Sequence, residues 1–274
     1  MRRTLQSLLA VIIAFTAVDT WAAGELMIHP TRVVLEGTKR TGQIDLINSG
    51  TETVTYRISL VRRRMTESGS FVAVDDPGAD EHFADEMIRF SPRQVVLRPG
   101  VAQAVRLQVR KPAGLADGEY RAHLMFQALP STDATSAPAS GGTDAIDIRL
   151  TPIYGASIPI IVRHGQTGAS LALTELELRR PAEGPAAVAF TINRGGSRSV
   201  YGDLTIRHRN SRGAERVVGR ANGMAVYTPN AIRKVVVPVT DSEGDLSSGE
   251  LIVSFSERPD QPRRLEAEAR LPLR

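Results

Sequence analysis

Short runs that alternate apolar and polar residues, broken about every 8–12 residues by Gly, Pro, Asn, Asp or Ser, fill almost the whole chain. No stretch sustains the i, i+3, i+4, i+7 apolar spacing of an amphipathic helix. LMIHPTRVVLEG, GQIDLINSG, VTYRISLVRRRM and SFVAV open the series, and the RPG turn divides IRFSPRQVVLRPGVAQAVRLQVRKP. In GEYRAHLMFQALP, Tyr120, Ala122, Leu124, Phe126 and Ala128 form one row. AAVAFTINRGGS, VYGDLTIRHRN, RKVVVPVTDSEG, GELIVSFSERP and RRLEAEARLPL continue the style. ASLALTELELRRP comes nearest to a helix, but Leu171 and Leu173 alternate in one phase and Leu176 and Leu178 in the other, so a strand is expected. The pattern predicts an all-β chain of sandwich or barrel type.

The first residues, MRRTLQSLLAVIIAFTAVDTWAAG, combine a basic start, an apolar stretch from Leu8 to Val18 and small residues around Ala22 and Ala23. This is the composition of a secretory signal peptide, assigned to residues 1–23, because the apolar run is short for a bilayer span. No later run of about 18 apolar residues follows, so the mature chain is not expected to be membrane-embedded. Loss of Arg2, Arg3 and Asp19 takes the formal charge from +4 to +3. Cations are scattered among carboxylates and aromatics make up only 5%, which argues against nucleic-acid binding. The chain has no cysteine, so an exported protein of this kind must be held by cores of adequate size rather than by disulfides.

The stretch AIDIRLTPIYGASIPIIV, residues 145 to 162, is the most informative. Ile146, Ile148 and Leu150 alternate with Asp147, Arg149 and Thr151; then SIPIIV is apolar on both faces. Ahead of it lies PSTDATSAPASGGTDA, polar and small, with the composition of a linker. A second run of small residues, His164 to Gly168, separates two strand sets and places the domains at 24–164 and 165–274; the run 131–145 is the rival boundary.

Catalytic chemistry has little to stand on. His29, His82, His123, His164 and His208 are isolated, with no spacing suited to a metal, and no cofactor is implied. No nucleophile elbow or P-loop is present. The acidic run DDPGADEHFADE lacks the spacing of a calcium loop and reads as a solvated loop; VRRRM reads as a strand end blunted by cations. An enzyme is not expected.

TRVVLEG, SPRQVVLRPGVAQAVRLQV and DGEYRAHLMFQALP, in that order and spacing, resemble the first domain of periplasmic pilus-assembly chaperones of the P-pilus type, over about residues 26–163. The resemblance implies two immunoglobulin-like β-sandwiches set at an angle, an L-shape. It implies a periplasmic chaperone that caps a pilus or fimbrial subunit by donor-strand complementation, a form of β-augmentation, and delivers it to an outer-membrane usher. Ile146, Ile148 and Leu150 would then be the donor row, extended through Pro152 and Tyr154, with self-association through the same edge an open alternative. Pro152 suits an edge strand because it has no N–H for a ladder. The resemblance also makes Arg32 the anchor of the subunit's C-terminal carboxylate, and Glu119 and Arg163 a pair that fixes the domains. The chain departs from the family where Pro159 stands in place of a lysine, and no aspartate completes the interdomain set; Arg149 and Arg163 are the nearest cations in sequence. The rival readings are an immunoglobulin-like pilus subunit or adhesin, against which the short mature start GELMIHPTR and the lack of Cys argue, and a periplasmic carbohydrate-binding module, against which the lack of any Trp beyond Trp21 argues.

Overall fold

A computed structural model describes residues 26–130, 154–240, 246–258 and 264–273. The leader 1–23, the run 131–145 and the positions Ile146, Ile148, Arg149, Leu150 and Pro152 lie outside the described residues.

The described residues hold strands and no helix, hence none long and apolar enough to cross a membrane. They form two immunoglobulin-like sandwiches, each with its own apolar core. In the first, one sheet has the order β1 (Leu26–His29), β3 (Thr41–Asn48), β9 (Ala102–Val109), β7 (Ile88–Ser91). The facing sheet has the order β2 (Val33–Leu35), β11 (Gly155–His164), β10 (Gly118–Ala128), β4 (Val54–Val61), β8 (Gln94–Leu97). The opening segment thus serves both sheets, changing from one to the other across Pro30. Leu35, Ile44, Leu97, Leu107, Phe126 and Ile160 meet between the sheets, fully buried. A hairpin, β5 (Arg63–Met65) and β6 (Phe71–Ala73), stands apart from both sheets.

The second sandwich packs the sheet β12 (Ala169–Arg179), β13 (Ala187–Gly196), β16 (Ile232–Pro238) on the sheet β15 (Glu215–Val226), β14 (Val200–Arg209), β17 (Gly249–Glu257), β18 (Glu266–Leu273). The phase change in ASLALTELELRRP is a β-bulge. The register with β13 shifts between Thr174 and Glu177, and Glu175 sits at φ 57°. One inserted residue turns Leu176 and Leu178 back to the core that Leu171 and Leu173 already face.

Two charged runs that read separately as solvated segments are partners. Arg62 lies 2.9 Å from Asp85, and Arg64 bonds Glu81 at 2.6 Å through Nε. The basic strand end and the acidic connection between β6 and β7 therefore neutralise each other instead of meeting only water.

Candidate functional site

The doubly apolar SIPIIV is explained by what lies on each side of β11. Ile158, Ile160 and Val162 enter the first core, while Ile161 faces the other way into a small cluster with Met65, Ala225 and Tyr227. Ala225 and Tyr227 belong to the second sandwich, so the outer face of β11 is part of the boundary between the two. The same holds on β10. Tyr120, Ala122, Leu124 and Phe126 face the first core, and Glu119, Arg121 and His123 are buried on the opposite face.

At that boundary Glu119 and Arg163, register partners on β10 and β11, form an ion pair at 3.0 Å with both side chains sequestered from solvent. Arg163 also reaches Glu36 at 3.1 Å. This ion pair is internal to the first sandwich. Glu119 also crosses to the second, accepting from the Ser199 backbone N–H at 3.1 Å and from the Ser199 hydroxyl. Two arginines hold the Ser199 turn in place. Arg194 donates to the carbonyls of Gly196 (2.6 Å), Asn230 (2.8 Å) and Arg198 (3.1 Å). Arg198 makes a bidentate pair with buried Glu257 at 2.7 and 3.0 Å. No sequence signal marks Ser199, because a serine in the short connection 197–199 between β13 and β14 looks like any other loop residue.

Arg32 is half-buried with its guanidinium nitrogens inside, and its Cζ lies 4.6 Å from the Tyr201 ring centroid. It lines a cavity of about 320 Å³ together with Pro30, Val34, Glu36, Lys39 and Gln43. Lys39 is exposed, whereas Lys111 donates to the Arg163 carbonyl at 2.6 Å, and burial, with Arg40 nearby, lowers its pKa. Arg163, one of the two cations nearest in sequence, is thus committed to Glu119 and Glu36, while Lys39 shares the cavity with Arg32. Among the described residues no group of His, Asp and Glu is placed to hold a metal.

Among the described residues, one half of β11 is paired on one side only. Parallel pairing with β2 covers Ile160 to Val162 only, while β10 covers the strand from Gly155 to His164. Gly155 to Pro159 therefore has β10 on one side and no described strand on the other. Tyr154, 56% exposed, stands at the start of this open edge. The alternating row Ile146, Ile148, Leu150 precedes it directly in sequence.

Pilus chaperones are among the solved structures that this chain resembles. A chain of the CsuC–CsuE chaperone–tip adhesion subunit pre-assembly complex, from the archaic chaperone–usher Csu pili of Acinetobacter baumannii, aligns at 14% identity and a TM-score of 0.46, over 89% of this chain and 98% of that one. The CupB2 chaperone of Pseudomonas aeruginosa aligns at 14% identity and 0.46, over 90% and 100%. A chain of the Salmonella enterica SafA pilin–SafB chaperone complex aligns at 12% and 0.42, over 91% and 98%. No family model and no curated protein matches the sequence.

Proposed function

We propose that the chain is a non-enzymatic periplasmic chaperone that holds a pilus subunit along the open edge of β11 and passes it to an outer-membrane usher. The observation that carries this reading is the half-open strand. A strand end with free N–H and C=O groups accepts another chain as an added strand, and natural sheets cover or blunt such edges unless they are used. Here the edge is continuous in sequence with a row of three large apolar residues, Ile146, Ile148 and Leu150. Each such side chain, if buried in a partner, contributes roughly 1.5–3 kcal/mol. Pro152 and Tyr154 continue the row toward the described part of β11.

Arg32 and Lys39 give the second contact. Two cations at one cavity suit a chain-terminal carboxylate, which accepts charge-assisted bonds in pairs. Lys39 takes the part left open by Pro159. Glu119 and Arg163 act behind them, holding the two sandwiches in register through Ser199. In the absence of a subunit, the same open edge is where a second copy of the chain would pair.

The test is to express the full chain in an exporting bacterium together with a pilus subunit lacking its partner strand, and to purify the chaperone from the periplasm. A 1:1 complex is expected. Recovery of the chain alone while the subunit is degraded would overturn the reading.

A further inference from the structure

The β5–β6 hairpin belongs to the first sandwich by sequence and lies against the second. At its tip the Lys234 N–H, on the free edge of β16, donates to the Glu67 carbonyl at 2.7 Å, and the two side chains pair at 2.9 Å. Asn230 Nδ2 donates to the Met65 carbonyl at 2.8 Å, and the Met65 side chain is buried with Ala225 and Tyr227. Gly69, at φ 88°, leaves room for the Arg233 guanidinium, which a Cβ there would approach to 2.3 Å. Phe71 stands edge-on to His123 at 5.0 Å between centroids and 6.0 Å from Tyr227. The hairpin thus straps one sandwich to the other, and His123 lies beneath it.

His123 is 2% exposed, and neither ring nitrogen has a hydrogen-bond partner among the described residues. The groups around it are cationic or neutral. Arg121, on the same strand, stacks over Tyr227 at 4.5 Å and donates to the carbonyls of Arg63 (3.1 Å) and Thr228 (3.2 Å). Arg63 comes from the hairpin itself. Val61 on β4 and Pro159 on β11, its neighbours across the sheet, carry no charge. The nearby carboxylates are occupied. Glu119 serves Arg163 and Ser199, and Glu81, from the β6–β7 connection, serves Arg64. On the side of the second sandwich, Tyr227 is neutral, and Arg233 adds another cation.

We propose that the β5–β6 hairpin is a latch between the two sandwiches and that protonation of His123 opens it. A proton on the ring would place a third positive charge beside Arg121 and Arg63, where the nearby described carboxylates Glu119 and Glu81 are already paired. The least costly response is for Phe71 and the hairpin to lift and let water reach the imidazole. Burial first, then Arg121 and Arg63, lower the ring's pKa from 6.5 to about 3 in the closed form. The closed state therefore holds the neutral ring. It is unpenalised above pH 6.5 and loses ground to the open state as pH falls from there toward 3. If opening restores the ordinary value, the opening constant rises roughly 100-fold between pH 7.5 and 4.5.

The test uses the full chain and native-state hydrogen exchange, corrected for intrinsic rates, at pH 7.5 and 4.5. The Lys234 amide reports the latch, and the Val253 amide, deep in the second core, reports global unfolding. In the parent the opening constant at Lys234 is expected to rise roughly 100-fold while Val253 stays level. His123→Phe keeps the aromatic contact without a titrating ring, and its rise should be no more than a few-fold. An equal rise in parent and variant, or Val253 moving with Lys234, would overturn the proposal. If His123→Phe does not fold, the His123 ring-proton shift in the parent decides. A flat shift down to pH 4.5 in the closed population supports the latch, and a midpoint near 6.5 overturns it.

Discussion

The Ser199 hydroxyl donates to Glu119 and accepts from the Thr228 backbone N–H at 3.1 Å, so a single side chain relays a hydrogen bond from the second sandwich to the buried carboxylate of the first. Ser199→Ala removes both bonds and leaves a buried donor and acceptor with fewer partners. The expected cost is about 1–3 kcal/mol, read as a lower denaturation midpoint with an unchanged slope. A variant as stable as the parent would show that the relay does not couple the sandwiches.

Glu119→Gln tests the ion pair behind that relay. Arg163 would keep the half-exposed Glu36, and a buried guanidinium would lose the buried carboxylate beside it. Breaking one side of a buried pair costs about 3–5 kcal/mol. Replacing both residues with apolar ones of similar size, Glu119→Leu with Arg163→Met, should recover part of the loss. A double variant worse than the sum of the single ones would show that the charges serve more than each other.

Much of the fold was legible because strand periodicity and turn residues are local signals. The out-of-phase leucines of β12 even carried the bulge at Glu175, although the pattern alone did not say that one residue had been inserted. What the sequence hid is non-local. Ile161 looked like one more core residue, and its apolar neighbours Met65 and Tyr227 lie far away in the chain. Arg62 and Arg64 looked solvated because Asp85 and Glu81 are about twenty residues on. Ser199, Lys39 and His123 carry no motif at all, and their importance comes from what the two sandwiches bring beside them. The row Ile146, Ile148 and Leu150 is legible as alternation, whereas the partial pairing of β11 by β2 depends on strands far apart in the chain.

Glu175 gives a prediction for the bulge. At φ 57° a β-branched side chain meets its own backbone, whereas asparagine is tolerated. Glu175→Val should lower the melting temperature well below that of Glu175→Asn. Both variants lose the Thr191 hydroxyl bond to Glu175, so the difference isolates the backbone conformation. Equal melting temperatures would mean that the bulge relocates.

Arg32 and Lys39 separate capture from stability. Arg32→Ala removes a guanidinium stacked on Tyr201, so a loss of about 0.5–2 kcal/mol accompanies any loss of binding. Lys39 is exposed and lines the same cavity. Lys39→Ala should therefore leave the melting temperature unchanged and weaken subunit capture, read by co-purification. Capture at the parent level would remove Lys39 from the site.

The most direct measurement pairs melting temperature with subunit pull-down for Ile148→Asp. Ile148 lies in the row proposed to enter the partner, where an unpaired carboxylate would cost several kcal/mol on desolvation. The free protein should melt within a few degrees of the parent, and the pull-down should fail. A drop of about 10 °C or more, a loss of roughly 2–4 kcal/mol for a domain of this size, would contradict the account, because Ile148 would then belong to the protein's own core.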